Sequence, residues 1–293
     1  MTSHAPGAVI SAAGGALLWA TIGPAAALLD THDRLAAAAV RLAIGTLVLF
    51  AVVGGRPLTT RWRRSELRSL AVGAVGIAGF QMTYFGAIGH SGVAISTTLA
   101  IGLSPVMTGM WTWLRTRERP AIGWMVGTAI AATGLVLLMY GRGVTGPASP
   151  TGIILSLLAA MFFSMHAIAI QLTTSGQTPA TTLTAMFGLA ALLLIPVTVA
   201  IGPQGLLSGP VVTCVVYLGV VTTGIAYWLF ARGVRHLGAA TAVTISLLEP
   251  AGAAIIAAVA FREHVSLAQW TGIGLICAAI ASIGFAGPKL KPT

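Results

Sequence analysis

The chain has 293 residues, 56% of them hydrophobic and 8% charged, with a mean hydropathy of +0.92. Soluble domains carry about a quarter of their residues as charges, so a soluble globular domain is excluded. The net charge of +10 is segregated: 89 consecutive residues between Arg142 and Arg232, and 46 between Arg68 and Arg115, hold no Lys, Arg, Asp or Glu. That pattern points to orientation in a bilayer rather than to a nucleic-acid partner. A helix needs roughly 20 apolar residues to cross about 30 Å of hydrocarbon, so the longer run must hold several crossings. The composition reads as an all-α polytopic membrane protein.

Gly, Pro and polar clusters divide the chain into ten predicted spans. They lie near 8–29, 36–53, 67–89, 93–114, 120–140, 150–172, 179–201, 210–231, 239–260 and 266–286. The first has no basic leader before it and is long enough to span, so it reads as a membrane helix and not a cleaved signal. Alternating the loops places Arg56, Arg61, Arg63, Arg64, Arg68, Arg115, Arg117, Arg119, Arg232, Arg235, Lys289 and Lys291 on the side of both termini. Arg34, Arg142 and Arg262 fall on the other side, and Arg41 lies within the second span. The positive-inside rule then puts both termini in the cytoplasm of a cell bounded by this membrane. Trp111, Trp113, Trp124, Trp228 and Trp270 fall near span ends, where amphipathic rings prefer to sit, whereas Trp19 falls at mid-depth. Cys214 and Cys277 both lie in apolar runs and read as small hydrophobes, with no disulfide framework, metal cluster or cofactor motif.

Sliding the chain by 145 residues superposes Leu103–Ser104–Pro105 on Leu248–Glu249–Pro250 and Arg117–Glu118 on Arg262–Glu263. Phe85 meets Phe230, Ala94 meets Ala239 and Gly127 meets Gly272. Pro, Arg and Glu are rare in this chain, so their ungapped coincidence carries weight. The chain therefore reads as two repeats of five spans, residues 1–145 and 146–293. Because five is odd, the second repeat crosses the membrane in the opposite sense. Inverted repeats are a feature of secondary transporters, whose substrate site lies near midplane between the halves.

Two five-span halves, each with a proline in its fourth span and a glutamate just before its fifth, resemble the EamA-type members of the drug/metabolite transporter superfamily. The resemblance is carried by residues 247–276, LLEPAGAAIIAAVAFREHVSLAQWTGIGLI, and by the weaker copy at 103–130. Within the superfamily the chain is similar to the YddG-like exporters of aromatic and other amino acids. The resemblance implies a ten-helix basket around a central cavity, alternating access, an amino acid as substrate, the bacterial inner membrane as location and no cofactor. Other metabolites or drug-like molecules are the alternative cargo. Ser104 departs from the glutamate found in the second copy.

Glu249 is eleventh of 22 residues in its predicted span, about 16 Å along the helix axis. A carboxylate facing lipid costs roughly 2.5–3.5 kcal/mol, so it must face the bundle interior, be neutral or have a partner. Two readings stand: a group that holds the kink at Pro250 through hydrogen bonds, or a proton- or substrate-binding carboxyl. Pro250 removes a backbone donor and displaces the Ser246 carbonyl, and Pro105 is its counterpart. Ser246 and Ala242 share a helical face with Glu249, as Thr97 and Ile101 do with Ser104. His166 is either a satisfied structural histidine or a titrating partner for Glu249. Arg41 reaches the outer interface by snorkelling, or else clamps a carboxylate or pairs with Asp33. Gln81 and Tyr84 share one face of the third span, and with Tyr227 and Trp19 they either fill helix packing or wall an aromatic cavity. The Arg–Glu pairs read as N-terminal features of the fifth and tenth spans. Gly123-x-x-x-Gly127 and Ala268-x-x-x-Gly272 read as packing motifs. A G-x-S at Gly102–Ser104 lacks the second glycine of a nucleophile elbow, which leaves a hydrolase weakly supported.

Overall fold

The computed structural model describes residues 5–26, 29, 33–54, 56–141, 149–202 and 204–286, and among them every regular element is helical. Eight helical runs are long and apolar enough to cross a membrane. The first is α1 (Ala5–Trp19) followed by the single turn α2 (Ile22–Ala26). Between them the Thr21 hydroxyl, 2.7 Å from the Leu18 carbonyl, holds the break. The chain continues through α3 (Asp33–Val53) and the short α4 (Arg56–Thr59) into α5 (Arg64–Thr116), 53 residues long.

That long helix is not straight. Gly92, at φ 74 and ψ 169, has no helical conformation. The Tyr84 hydroxyl nevertheless lies 2.8 Å from the Thr97 hydroxyl. Thirteen residues of unbroken helix would separate them by about 20 Å along the axis, so the chain turns back on itself at Gly92. Only a residue without Cβ tolerates that backbone cheaply.

Beyond α6 (Ile122–Tyr140), α7 (Pro150–Thr174) and α8 (Pro179–Ile201) comes a composite run. It consists of α9 (Gly209–Tyr217), a π-helical stretch over Leu218–Ile225, and α10 (Ala226–Leu237). Gly238, at φ 82 and ψ 157, repeats the backbone of Gly92 and leads into α11 (Ala239–Ile245). The Gln171 side-chain oxygen accepts the Ala239 N–H there at 2.7 Å, capping α11. Then follow α12 (Leu248–Ala260) and α13 (Leu267–Ala286).

The helices pair in a definite pattern: α5 packs most extensively on α7, α6 on α13, α3 on α8 and α1 on α10. Small residues permit it. A Cβ on Gly134 of α6 would sit 2.7 Å from the Gly272 carbonyl oxygen of α13, so the two backbones cross in direct contact. Gly127 abuts Ile283, whereas nothing lies within 4 Å of a Cβ built on Gly123. Of the two small residues expected to pack on α6, only the second does so.

Two sequence expectations change. Arg117 and Arg262 do not begin helices; both adopt left-handed backbone, φ 59 and φ 54, just beyond the ends of α5 and α12. The Arg117 N–H bonds the Trp113 carbonyl at 2.8 Å, and the Glu263 N–H reaches the Ala257 carbonyl at 3.3 Å. The repeated pair thus closes helix C-termini, where left-handed caps satisfy orphan carbonyls. Arg232 and Arg235 lie within α10, which runs to Leu237, and the Arg232 guanidinium stacks 5.0 Å from the Trp228 ring centroid. Arg142, Lys289, Lys291 and the side chain of Arg34 fall outside the described residues.

Candidate functional site

A cavity of about 350 Å³ opens among α1, α3, both arms of α5, α7, α10 and α12. That volume lies toward the lower end of the range for small-molecule sites, roughly 300–1,000 Å³. Six of the nineteen residues that line it are aromatic. The Trp19 ring packs 4.6 Å from Tyr227 edge to face, and Phe80 stacks on Tyr84 with centroids 5.2 Å apart. Phe163 bridges the two sets, 6.2 Å from Trp19 and 5.3 Å from Phe80.

Local structure explains why these rings face one another. Trp19 ends α1, and its indole N–H donates to the Thr222 carbonyl at 2.9 Å. Thr222 sits in the π-helical stretch, where the widened turn presents a carbonyl to a partner outside the helix. Tyr84 is held by Thr97 across the Gly92 turn, so both line the cavity.

Glu249 lies in the first turn of α12, beside Pro250 and Ala253 on the cavity wall. The break comes at Ser246–Leu247. Pro250 cannot donate to the Ser246 carbonyl, and the Glu249 N–H takes that acceptor at 2.9 Å instead. The carbonyl that the sequence leaves free is therefore satisfied by a tightened turn. Glu249 thus lies in the first turn of a half-helix, where the helix dipole favours negative charge. Its carboxylate is half-buried and makes no hydrogen bond to a described residue.

Arg41 does not snorkel. Its side chain is 6% exposed and lines the same cavity, and its Nε and Nη1 have no hydrogen-bond partner. A pairing with Asp33 falls outside the described side chains. Arg41, Tyr84, Tyr227 and Glu249 line the same cavity. Gln81 is 1% exposed, lines the cavity, and leaves both its amide atoms without partners.

Three residues expected in the cavity, Ser104, Ser246 and His166, lie elsewhere. Ser104 is fully buried, its hydroxyl donating to the Ala100 carbonyl, while the Ser164 hydroxyl donates to the Ser104 carbonyl at 3.0 Å. Pro105 is buried beside it inside α5, away from the cavity wall. Ser246 turns its hydroxyl to the Val243 carbonyl at 2.7 Å. The break at 246–247 shifts the register, so the face shared by Ala242 and Ser246 does not continue to Glu249. His166 is fully buried behind Tyr227, donating from Nδ1 to the Gly73 carbonyl at 2.9 Å and stacking on Phe187. Trp19, Gln81, Tyr84, Thr97, Tyr227, Glu249 and Pro250 are brought together. Phe80 and Phe163 were missed; Phe80 is one turn from Tyr84 on the same face, a spacing that marks it.

Known proteins resemble this chain in sequence or in fold. The "Uncharacterized transporter YwfM" of Bacillus subtilis (strain 168) is 31% identical over 278 residues, covering 94% of this chain and 93% of that protein. The "Uncharacterized inner membrane transporter YicL" of Salmonella typhimurium is 25% identical over 279 residues, 92% of each chain. One crystal structure is alike in fold, with a TM-score of 0.82 at 20% identity over 97% of this chain and 99% of that one. The EamA-like transporter family matches residues 6–140 and 150–285, and this multi-pass membrane chain belongs to that transporter family.

Proposed function

We propose that the protein is a secondary carrier that exports small amphipathic metabolites, foremost aromatic and other apolar amino acids, by alternating access. The observation that carries this reading is the cavity itself: an aromatic box of single-amino-acid size with a carboxylate and a guanidinium in its wall. Flat apolar side chains fit the rings, and the charged groups suit a polar head. Ten spans in two inverted repeats, 1–145 and 146–293, are part of the proposal. Counting α5 as two crossings and α13 as one supplies the number. The helix pairing supports the symmetry, because exchanging the halves maps α1·α10 onto α7·α5 and returns α3·α8 and α6·α13 to themselves. Under this arrangement both termini are cytoplasmic, by the distribution of basic residues, and the carrier sits in the inner membrane, the location in the name of its YicL relative. A hydrolase finds no support, since the Ser104 hydroxyl is fully buried against the Ala100 carbonyl.

The test is counterflow of labelled phenylalanine into proteoliposomes preloaded with single unlabelled amino acids. Saturable uptake driven by aromatic and large apolar amino acids is expected. No uptake with any amino acid overturns the amino-acid reading and turns the search to drug-like cargo.

A further inference from the structure

The cavity holds two opposite charges that the protein does not pair with hydrogen bonds. A guanidinium stays ionised at any physiological pH, and burying it with two of its donor positions empty is costly unless an anion completes them. Arg41 is in that state, with Nε and Nη1 unpartnered and the side chain more than nine-tenths buried in the cavity wall. Glu249, on the half-helix of the second repeat, offers carboxylate oxygens to the same space. Gln81 adds an amide whose donor and acceptor are both unused. Aromatic and aliphatic side chains occupy the remaining wall, with Trp19, Phe80, Tyr84, Phe163 and Tyr227 linked by ring contacts.

We infer that Arg41 and Glu249 are a two-point clamp for a zwitterionic headgroup, the guanidinium taking the substrate's α-carboxylate and the Glu249 carboxylate its α-ammonium. The inference rests on the amino-acid reading above and adds a demand to it: both charges must be present on one molecule. Planar two-pronged donation suits a carboxylate, and an ammonium suits a carboxylate oxygen at the start of a helix. Gln81 serves whichever headgroup atom is left unmatched. A molecule lacking either charge leaves one protein charge buried and unpaired, and this penalty, more than lost attraction, produces the discrimination.

The test uses the wild-type protein in proteoliposomes and asks which analogues compete with labelled phenylalanine counterflow. Phenethylamine lacks the carboxylate and 3-phenylpropionate lacks the ammonium; both retain the ring. Each is expected to compete at least about tenfold more weakly than phenylalanine. Arg41→Gln is expected to erase the advantage of phenylalanine over phenethylamine, and Glu249→Gln its advantage over 3-phenylpropionate. This crossed pattern is one that a merely structural role would not yield. The wild-type panel decides on its own should either variant fail to fold. Either analogue competing within about twofold of phenylalanine on the wild type overturns the clamp while leaving the carrier in place. Absence of phenylalanine flux overturns the amino-acid reading and the clamp together.

Discussion

At the scale of single residues, a polar group inside an apolar bundle is informative only once its partner is known. Tyr84 and Thr97 satisfy each other across the Gly92 turn, and His166 satisfies the Gly73 carbonyl. Interhelical hydrogen bonds in membranes contribute about 0.6 kcal/mol each, with a maximum near 1.7. Tyr84→Phe, which keeps the ring, is therefore expected to lower the thermal midpoint in detergent slightly. His166→Leu is expected to lower it further, at a cost of about 0.5–3 kcal/mol, because it removes an interhelical bond to the Gly73 carbonyl and disturbs the ring contact with Phe187 in a fully buried site. His166→Leu is not expected to alter the order in which amino acids compete for transport, and a changed order would return that residue to the substrate path. Glu249 was legible in the sequence because a charge amid apolar residues must face something polar. Arg41 was not. Sequence gives its depth in α3, but the direction of its stem depends on which neighbouring helix covers it. Ser104 and Ser246 misled for a related reason: a hydroxyl can satisfy a carbonyl one turn back on its own helix and need not face a cavity.

At the scale of elements, the breaks matter more than the helices. Gly92 and Gly238 turn the chain with nearly the same backbone, and Ser246–Leu247 splits the helix that carries Glu249. The sequence marks all three with Gly or Pro, so the interruptions were readable. The roles of Arg117 and Arg262 were not. Glutamate after an arginine near a span boundary suits the start of one helix as well as the close of another, and only backbone geometry separates the two. A non-glycine residue in left-handed conformation costs roughly 1–2 kcal/mol. Arg117→Gly is accordingly expected to raise the thermal midpoint, and Arg117→Val to lower it, in detergent. The opposite order would mean that the arginine side chain, rather than the backbone, holds that cap. The π-helical stretch left no trace in the sequence, since it coincides with a bond to Trp19, 203 residues away, that local propensity does not encode.

At the scale of the whole molecule, repeat matching and composition conveyed the helical class and the paired halves. They did not convey which aromatic rings meet, since ring contacts join α1, α5, α7 and α10 across as many as 211 residues of sequence, from Trp19 to Phe230. The central claim is that one cavity between the halves faces each side of the membrane in turn. Ala253 lines that cavity one turn beyond Glu249, and its small side chain makes it a suitable reporter. The most direct measurement is Ala253→Cys, in a background without Cys214 and Cys277, labelled by a membrane-impermeant thiol reagent from each side of sealed vesicles. Labelling from both sides, slowed on both by phenylalanine, is the expected result. Labelling from one side only, unchanged by any substrate, would contradict alternating access through this cavity.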